Sequence, residues 1–212
     1  MRGGVVLALV RHELRLLASI GLWVARRRHG VAGGVAFPYA RGQGATMLGF
    51  GFVVVIESVM MGVLLRDHSA VRWAWFAADV YTLLLVLGMH AASVVRPHVL
   101  TPDELLVRRA AHVDLRIPVA AVARVRRELR TTHAGAEGEL NLAVGAQTTV
   151  TVELAEPVVH APLLGRRGRD VRVVRFHADD AAGLVADLNG LVGLGGLTPA
   201  RSAPSPSPGP TA

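Results

Sequence analysis

The chain has 212 residues, of which 51% are hydrophobic and 18% charged, with a net charge of +7 and a sequence pI of about 11.3. Its mean hydropathy of +0.41 excludes a chain that is disordered throughout. Residues 1–100 contain ten Arg and four acidic residues (net +6), whereas residues 101–212 contain thirteen Arg and twelve acidic residues (net +1). The basic excess therefore lies in the more hydrophobic half, which is typical of charges that flank membrane spans and not of a nucleic-acid surface.

Two residue types are missing, and each absence excludes some chemistry. Without Cys there are no disulfides, thiolate metal sites or cysteine nucleophiles. All 23 basic residues are Arg, so a Walker-type P-loop and a pyridoxal phosphate Schiff base are also excluded. A bias towards Ala, Arg, Gly and Val at the expense of Lys is typical of a GC-rich bacterial genome.

Residues 1–41 are predicted to form an interfacial amphipathic helix followed by a linker. The uninterrupted apolar stretch, residues 16–25, is too short to cross a bilayer, although a third span is the alternative. We expect the helix to lie on anionic lipid of the cytoplasmic leaflet, with Arg26, Arg27 and Arg28 as lipid contacts. The polar residues expected to share one face, within an arc of roughly 100°, are Arg11, His12, Arg15, Ser19 and Arg26.

Residues 42–96 are predicted to form a two-helix transmembrane hairpin. Residues 45–65 would span roughly 30 Å as a helix, and residues 73–95 form a second apolar stretch with aromatic residues at its start. The connector of residues 66–72 is short enough to force the two helices to be antiparallel.

The arginines near the ends of the spans predict the orientation. The connector has Arg66 and Arg72, whereas the outer flanks have more. Both termini are therefore expected in the cytoplasm of a bacterial cell. The flanking arginines are Arg26, Arg27, Arg28, Arg41, Arg96, Arg108 and Arg109.

Three ionisable residues, Glu57, Asp79 and His90, lie inside the predicted spans. Counted from the connector, Glu57 and Asp79 differ in depth by only about 3 Å, so the two carboxyls are predicted to face each other across the hairpin. The packing rows would be Ala45, Gly49, Val53 and Glu57 on one helix and Asp79, Thr82, Val86 and His90 on the other. Interhelical hydrogen bonding and a proton relay are the alternative roles.

Residues 97–195 predict seven short strands and a C-terminal helix. The strands are expected at residues 104–109, 113–117, 123–129, 139–144, 148–154, 157–160 and 171–177. Asp179 is the predicted N-cap of an amphipathic helix. This order predicts a small barrel closed at one end by the helix.

The segments from Leu100 to Val107 and from Ile117 to Val125, and the ending from Val174 to Asp180, resemble a bacterial pleckstrin-homology-like (PH-like) domain. The whole chain is similar to uncharacterised integral membrane proteins of actinobacteria. The resemblance implies an all-β PH-like barrel capped by a C-terminal helix, behind the membrane α-helical hairpin, and α+β overall. It implies a binding or assembly module with no catalytic residues, cofactor or metal.

Other polar groups predict at most surface binding. Arg166, Arg167 and Arg169 are candidate contacts for an anionic headgroup, with a solvated loop as the alternative. His177, Asp179 and Asp180 are better explained by a strand end and helix cap than by a metal. The arginines of residues 124–130 lack interleaved aromatics, so no nucleic acid is expected. The Pro- and Ser-rich tail, residues 196–212, is predicted to be disordered.

These features predict a non-enzymatic two-pass membrane protein whose PH-like domain mediates protein interaction or homo-oligomeric assembly at the bilayer. One alternative function is a small proton-linked transport or channel subunit that uses Glu57 and Asp79. Another is an anionic-lipid-binding module.

Overall fold

The computed structural model describes residues 2–31, 33–132, 135–160 and 168–195. Within these residues the chain is α+β, with four α-helices and two β-sheets. The helices are α1 Arg2–Val24, α2 Gly44–Leu64, α3 Ser69–Val95 and α4 Ala181–Gly195.

Two of these helices, α2 and α3, are long and apolar enough to cross a membrane. At 1.5 Å per residue their 21 and 27 residues measure about 32 and 40 Å, against a bilayer core of about 30 Å. They are joined by the tight turn around Asp67 and His68 and pack against each other. Both lie within a few residues of the predicted spans, because long apolar runs fix their position.

The first helix, α1, packs along α3. Leu16 is buried against Gly88 and Ala92 of α3, where a Cβ added to Gly88 would lie 3.0 Å from the Cβ of Leu16. Ser19, predicted to face headgroups, is fully buried and donates a hydrogen bond to the Arg15 carbonyl oxygen. Part of the predicted polar face of α1 is therefore used for packing inside the protein.

Eight strands form the rest of the described chain. They are β1 Val35–Phe37, β2 His98–Leu100, β3 Glu104–Arg109, β4 Val113–Pro118, β5 Val122–Arg130, β6 Glu139–Leu142, β7 Thr148–His160 and β8 Arg169–Phe176. One sheet has the order β1-β2-β3-β4 and is antiparallel. The other has the order β5-β7-β8-β6, in which β6 and β8 are parallel.

A single core lies between the two sheets and α4. Strand β4 shows the alternation that one buried face requires: Val113, Leu115 and Ile117 are buried, and the residues between them are exposed. Phe176 of β8 and Leu184 of α4 are fully buried in the same cluster. The helix thus covers the core between the sheets, as the sequence predicts.

The structure corrects the sequence prediction in three places. β1 and β2 are additional strands, and β1 comes from the segment assigned to the linker before the first span. Residues 148–154 and 157–160 belong to one strand, β7. The strands form two sheets, and the PH-like barrel stays a prediction. The cap of α4 is Asp180, whose Oδ1 accepts a hydrogen bond from the Gly183 N–H, and not Asp179.

Candidate functional site

The junction between the helices and the two-sheet domain is organised around His98. Its imidazole is 2% exposed, stacks on the Tyr39 ring at 4.6 Å and meets the Phe176 ring edge-on at 4.8 Å. Its Nδ1 accepts a hydrogen bond from the backbone N–H of Arg108, so Nε2 carries the proton and donates to the carbonyl oxygen of His177. One side chain thus joins β2, β3, the end of β8 and the linker before α2.

Both bonds of His98 require a neutral ring. Burial lowers the pKa of His98 to about 4, because no counter-charge compensates for lost hydration. Burial likewise raises the pKa of Tyr39 to about 12, and its hydroxyl accepts a hydrogen bond from the Ala110 N–H at 2.7 Å. The centre of the junction is therefore uncharged at neutral pH.

A buried arginine fixes the segment that follows α1. The Arg108 guanidinium donates to the carbonyl oxygens of His29 and Gly30 at 3.0 and 3.3 Å and pairs with Asp114. Gly30 has a φ of +64°, and a Cβ there would lie 2.6 Å from the guanidinium. The backbone conformation at this position therefore favours glycine, and a side chain there would displace the guanidinium.

A basic cleft of about 560 Å³ opens beside this junction, where α1 ends, α2 begins and α3 ends. Its charged lining consists of Arg26, Arg27, Arg28, Arg41 and Asp179. The Asp179 carboxylate accepts a hydrogen bond from the Arg41 N–H at 3.4 Å and lies 3.7 Å from His177 Nε2. Among the residues that the structure describes, no acidic side chain forms an ion pair with any of these four arginines.

An apolar groove of about 530 Å³ continues from the basic cleft between α2 and α3. Trp23, Gly44 and His90 line both spaces, and Met47, Phe52, Val55 and Leu83 are among the residues that line the groove alone. The Trp23 ring stands edge-on to the His90 imidazole at 5.8 Å, and His90 Nδ1 has no hydrogen-bond partner. His90, predicted as an intramembrane polar residue, thus lies where the basic and apolar spaces meet.

The structure places the carboxyls of Glu57 and Asp79 in different surroundings. Asp79 is 8% exposed, and its Oδ2 has no partner. Glu57 is exposed, with Ala45, Gly49 and Val53 of its row, and no hydrogen bond joins it to Asp79. The prediction that the carboxyls face each other is therefore wrong for α2, whose predicted row is exposed. On α3 the predicted row that begins at Asp79 is buried or half-buried, as expected.

Two of the four arginines of β5, Arg126 and Arg130, pair with acidic residues within the domain. The Glu128 carboxylate accepts hydrogen bonds from Arg130 and Arg126 at 2.8 and 3.2 Å and from the Thr151 hydroxyl. These bonds, with that of Arg130 the largest cause, lower the pKa of Glu128 to about 2. Arg126 also pairs with Glu153 at 2.7 Å. Two of the arginines considered for nucleic acid thus have acidic partners on their own sheet.

The remaining predicted sites are placed only in part. Arg166, Arg167 and the tail of residues 196–212 lie outside the described residues, and Arg169 is the exposed first residue of β8. His177 and Asp179 are neighbours beside the basic cleft. Within the part of the chain that the structure describes, no three His, Asp or Glu side chains are grouped as metal ligands.

Sequence reasoning missed His98, Tyr39 and the site role of Arg41. His98 belongs to a three-residue strand with no periodicity to detect, and Arg41 was counted only as a flanking charge. A signal for β1 was present, because Gly33, Gly34 and Pro38 bracket its short apolar run. No protein-family model, curated protein or solved structure matches the chain.

Proposed function

We propose that the chain is a non-enzymatic two-pass protein of the bacterial cell membrane, with both termini cytoplasmic. Its copies associate through α2, and its two-sheet domain is held at the membrane surface to bind protein partners. The observation that carries this proposal is the exposed row Ala45, Gly49, Val53 and Glu57, named here the α2 outer face.

The α2 outer face combines a carboxyl with small residues. Glu57 lies seven residues before the end of α2, about 10 Å inside the span, and a carboxyl facing acyl chains at that depth is costly. Adding a Cβ to Gly49 would meet nothing within 4 Å, so its backbone is open to close approach by another helix. A second copy packed on this face would cover Glu57 and let two carboxyls share a proton.

The two-sheet domain supports the second half of the proposal, because it is attached to the helices at several points. β1 pairs with β2 immediately after α3, Arg108 holds the segment after α1, and Asp179 donates its N–H to the Pro38 carbonyl oxygen. Association through α2 would therefore fix how neighbouring domains are presented to a partner.

Cysteine crosslinking tests the association, since the natural chain has no Cys. Val53→Cys lies on the α2 outer face, and Val59→Cys is the matched control on the same helix, about 120° around the axis. The two valines are 58% and 64% exposed. In membranes, oxidation should yield a crosslinked dimer with Val53→Cys and little with Val59→Cys, and Gly49→Leu should suppress the dimer. Equal crosslinking at both positions would contradict a specific interface.

Maleimide labelling tests the orientation. A membrane-impermeant maleimide should label Ser69→Cys, the first residue of α3 next to the turn after α2, in intact cells. Leu129→Cys, exposed on the two-sheet domain, should be labelled only after the cells are opened. The reverse pattern would overturn the cytoplasmic placement of the domain.

A further inference from the structure

We infer that the basic cleft and the apolar groove form one binding site for a single anionic glycerophospholipid. The arginines would hold the phosphate headgroup and the groove between α2 and α3 would hold an acyl chain. This inference rests on the proposed function only in that α2 and α3 lie in a bilayer, and it does not depend on association through α2.

The first step is continuity between a charged space and an apolar space. The two have volumes of about 560 and 530 Å³ and share three lining residues, Trp23, Gly44 and His90. An amphiphile is the class of ligand that needs both environments side by side, whereas a free anion would use only the cleft. Trp and His at the boundary have an apolar body and a polar edge, which suits the level of the glycerol and ester groups.

The second step is charge. Four arginines and one carboxylate line the cleft, and that carboxylate already accepts a hydrogen bond from the Arg41 N–H and lies beside His177. None of the four guanidinium groups has an acidic partner among the described residues. Arg forms bidentate hydrogen bonds with phosphate, so the cleft suits a phosphate headgroup.

The third step is depth. The cleft lies where α2 begins and α3 ends, so it is at one end of the antiparallel pair, and the groove runs from there along α2 towards Val55. A lipid of the adjacent leaflet would therefore meet the cleft with its headgroup and the groove with its chain, without changing its orientation.

Quenching of Trp23 fluorescence tests the site in the full-length chain. A Trp73→Phe, Trp75→Phe background leaves Trp23 as the single tryptophan, because the chain has three. The protein is reconstituted in phosphatidylcholine vesicles that contain the same mole fraction of either brominated phosphatidylglycerol or brominated phosphatidylcholine. The anionic probe should bind at least tenfold more tightly, as judged from the lipid fraction that gives half-maximal quenching.

Two pairs of variants locate the headgroup and the chain. Arg27→Gln with Arg41→Gln should weaken the anionic probe about 25-fold, since each arginine near an anionic group contributes a factor of about five. The control, Arg66→Gln with Arg72→Gln, removes the same charge from the opposite end of the hairpin and should change little. Val55→Trp would fill the groove but adds a fluorophore, so Val55→Phe is used, with Val59→Phe as its control. Only Val55→Phe should weaken quenching.

Each outcome has a distinct meaning. Equal quenching by both brominated lipids would overturn the lipid site while leaving the proposed function intact. No quenching by either lipid would show that Trp23 is remote from acyl chains and would count against the membrane placement as well. Displacement of the anionic lipid by an equal concentration of glycerol phosphate would show a site for a soluble anion and overturn the inference.

Discussion

Helices α2 and α3 are alike in length and both are apolar enough to span a bilayer, but they differ in how far the protein covers them. Only 6% of the apolar stretch of α2 is buried, against 39% for α3. α3 packs against α1 and α2 and leads directly into β2, whereas Val54 is the one residue of α2 that the described structure buries. Two helices that both pass as candidate spans therefore differ in packing: α3 is partly covered by the rest of the fold, and α2 is left exposed along most of its length.

The largest effect on stability is expected from a substitution next to one end of α3, and a substitution next to the other end is its comparison. His98→Ala, just after the helix, removes a buried ring and both of its hydrogen bonds and should lower the free energy of unfolding by about 4 kcal/mol. His68→Ala, in the exposed turn before α3, should cost less than about 0.5 kcal/mol. Denaturant unfolding in detergent measures both. Similar losses would show that the end of α3 within the domain is not the more firmly held.

The pH dependence of stability should come partly from the same ring. Between a pH of about 6.5, where an unfolded histidine titrates, and about 4, the unfolded chain binds a proton that folded His98 excludes. The free energy of unfolding should therefore be intact above 6.5 and fall by about 3 kcal/mol as the pH drops to about 4.

Other histidines contribute to that profile, since burial also lowers the pKa of His29, His112 and His160. The difference between the natural chain and His98→Gln isolates His98, because glutamine does not titrate. A His98→Gln profile parallel to that of the natural chain would exclude His98 as a source of the dependence.

A smaller effect on stability is expected when a glycine of α3 and a glycine of α2 are each replaced by leucine. Gly88→Leu on α3 would force a side chain into Leu16 of α1 and should cost about 2 kcal/mol of stability. Gly49→Leu on α2 has open space around it and should leave the unfolding of the monomer unchanged while weakening association. Unfolding and size-exclusion chromatography in detergent separate these outcomes. A destabilised Gly49→Leu monomer would show that α2 is packed more tightly than the structure has it.

For the last pair of substitutions we expect no effect on proton flux. Glu57→Gln and Asp79→Asn should each leave proton flux in reconstituted vesicles unchanged, because Glu57 is exposed, Asp79 is buried and no hydrogen bond joins the two carboxyls. Flux is followed with a pH-sensitive dye trapped inside the vesicles. A loss of flux in both variants would revive the transport function that the sequence left open.

The sequence predicts the position of the two long apolar helices well and their contacts poorly. Hydropathy runs place α2 and α3 within a few residues, and the shared face of Asp79 and His90 is buried or half-buried as expected. The small residues of the row that ends at Glu57 predict that this row of α2 faces α3. In the structure a different side of α2, with Gly51 and Val54, faces α3. In a bilayer both sides are compatible with hydropathy, so the choice depends on side-chain fit that a pattern does not encode.

In the two-sheet domain, too, the sequence pattern predicts some elements and misses their contacts. Alternation identifies β4, in which every second residue is buried, whereas β3 is buried at four consecutive residues and β5 alternates irregularly. β1 and β2 have three residues each and pair across the whole hairpin, so neither periodicity nor sequence proximity indicates them. The basic cleft is lined by residues that precede the hairpin in the sequence and by residues that follow its first helix. Their proximity could therefore not be predicted before the fold was known.

The pairing of β1 with β2 has a topological consequence. The two strands are hydrogen-bonded neighbours in one sheet, so they must be on the same side of any membrane. The chain between them therefore makes an even number of crossings: if α2 crosses, α3 must return. During biosynthesis β1 emerges before the hairpin and its partner only after it, so the first sheet can be completed only when α2 and α3 have both crossed a membrane or have both stayed on one side of it. A chain that inserts one of the two helices alone would leave the edge of β2 unpaired.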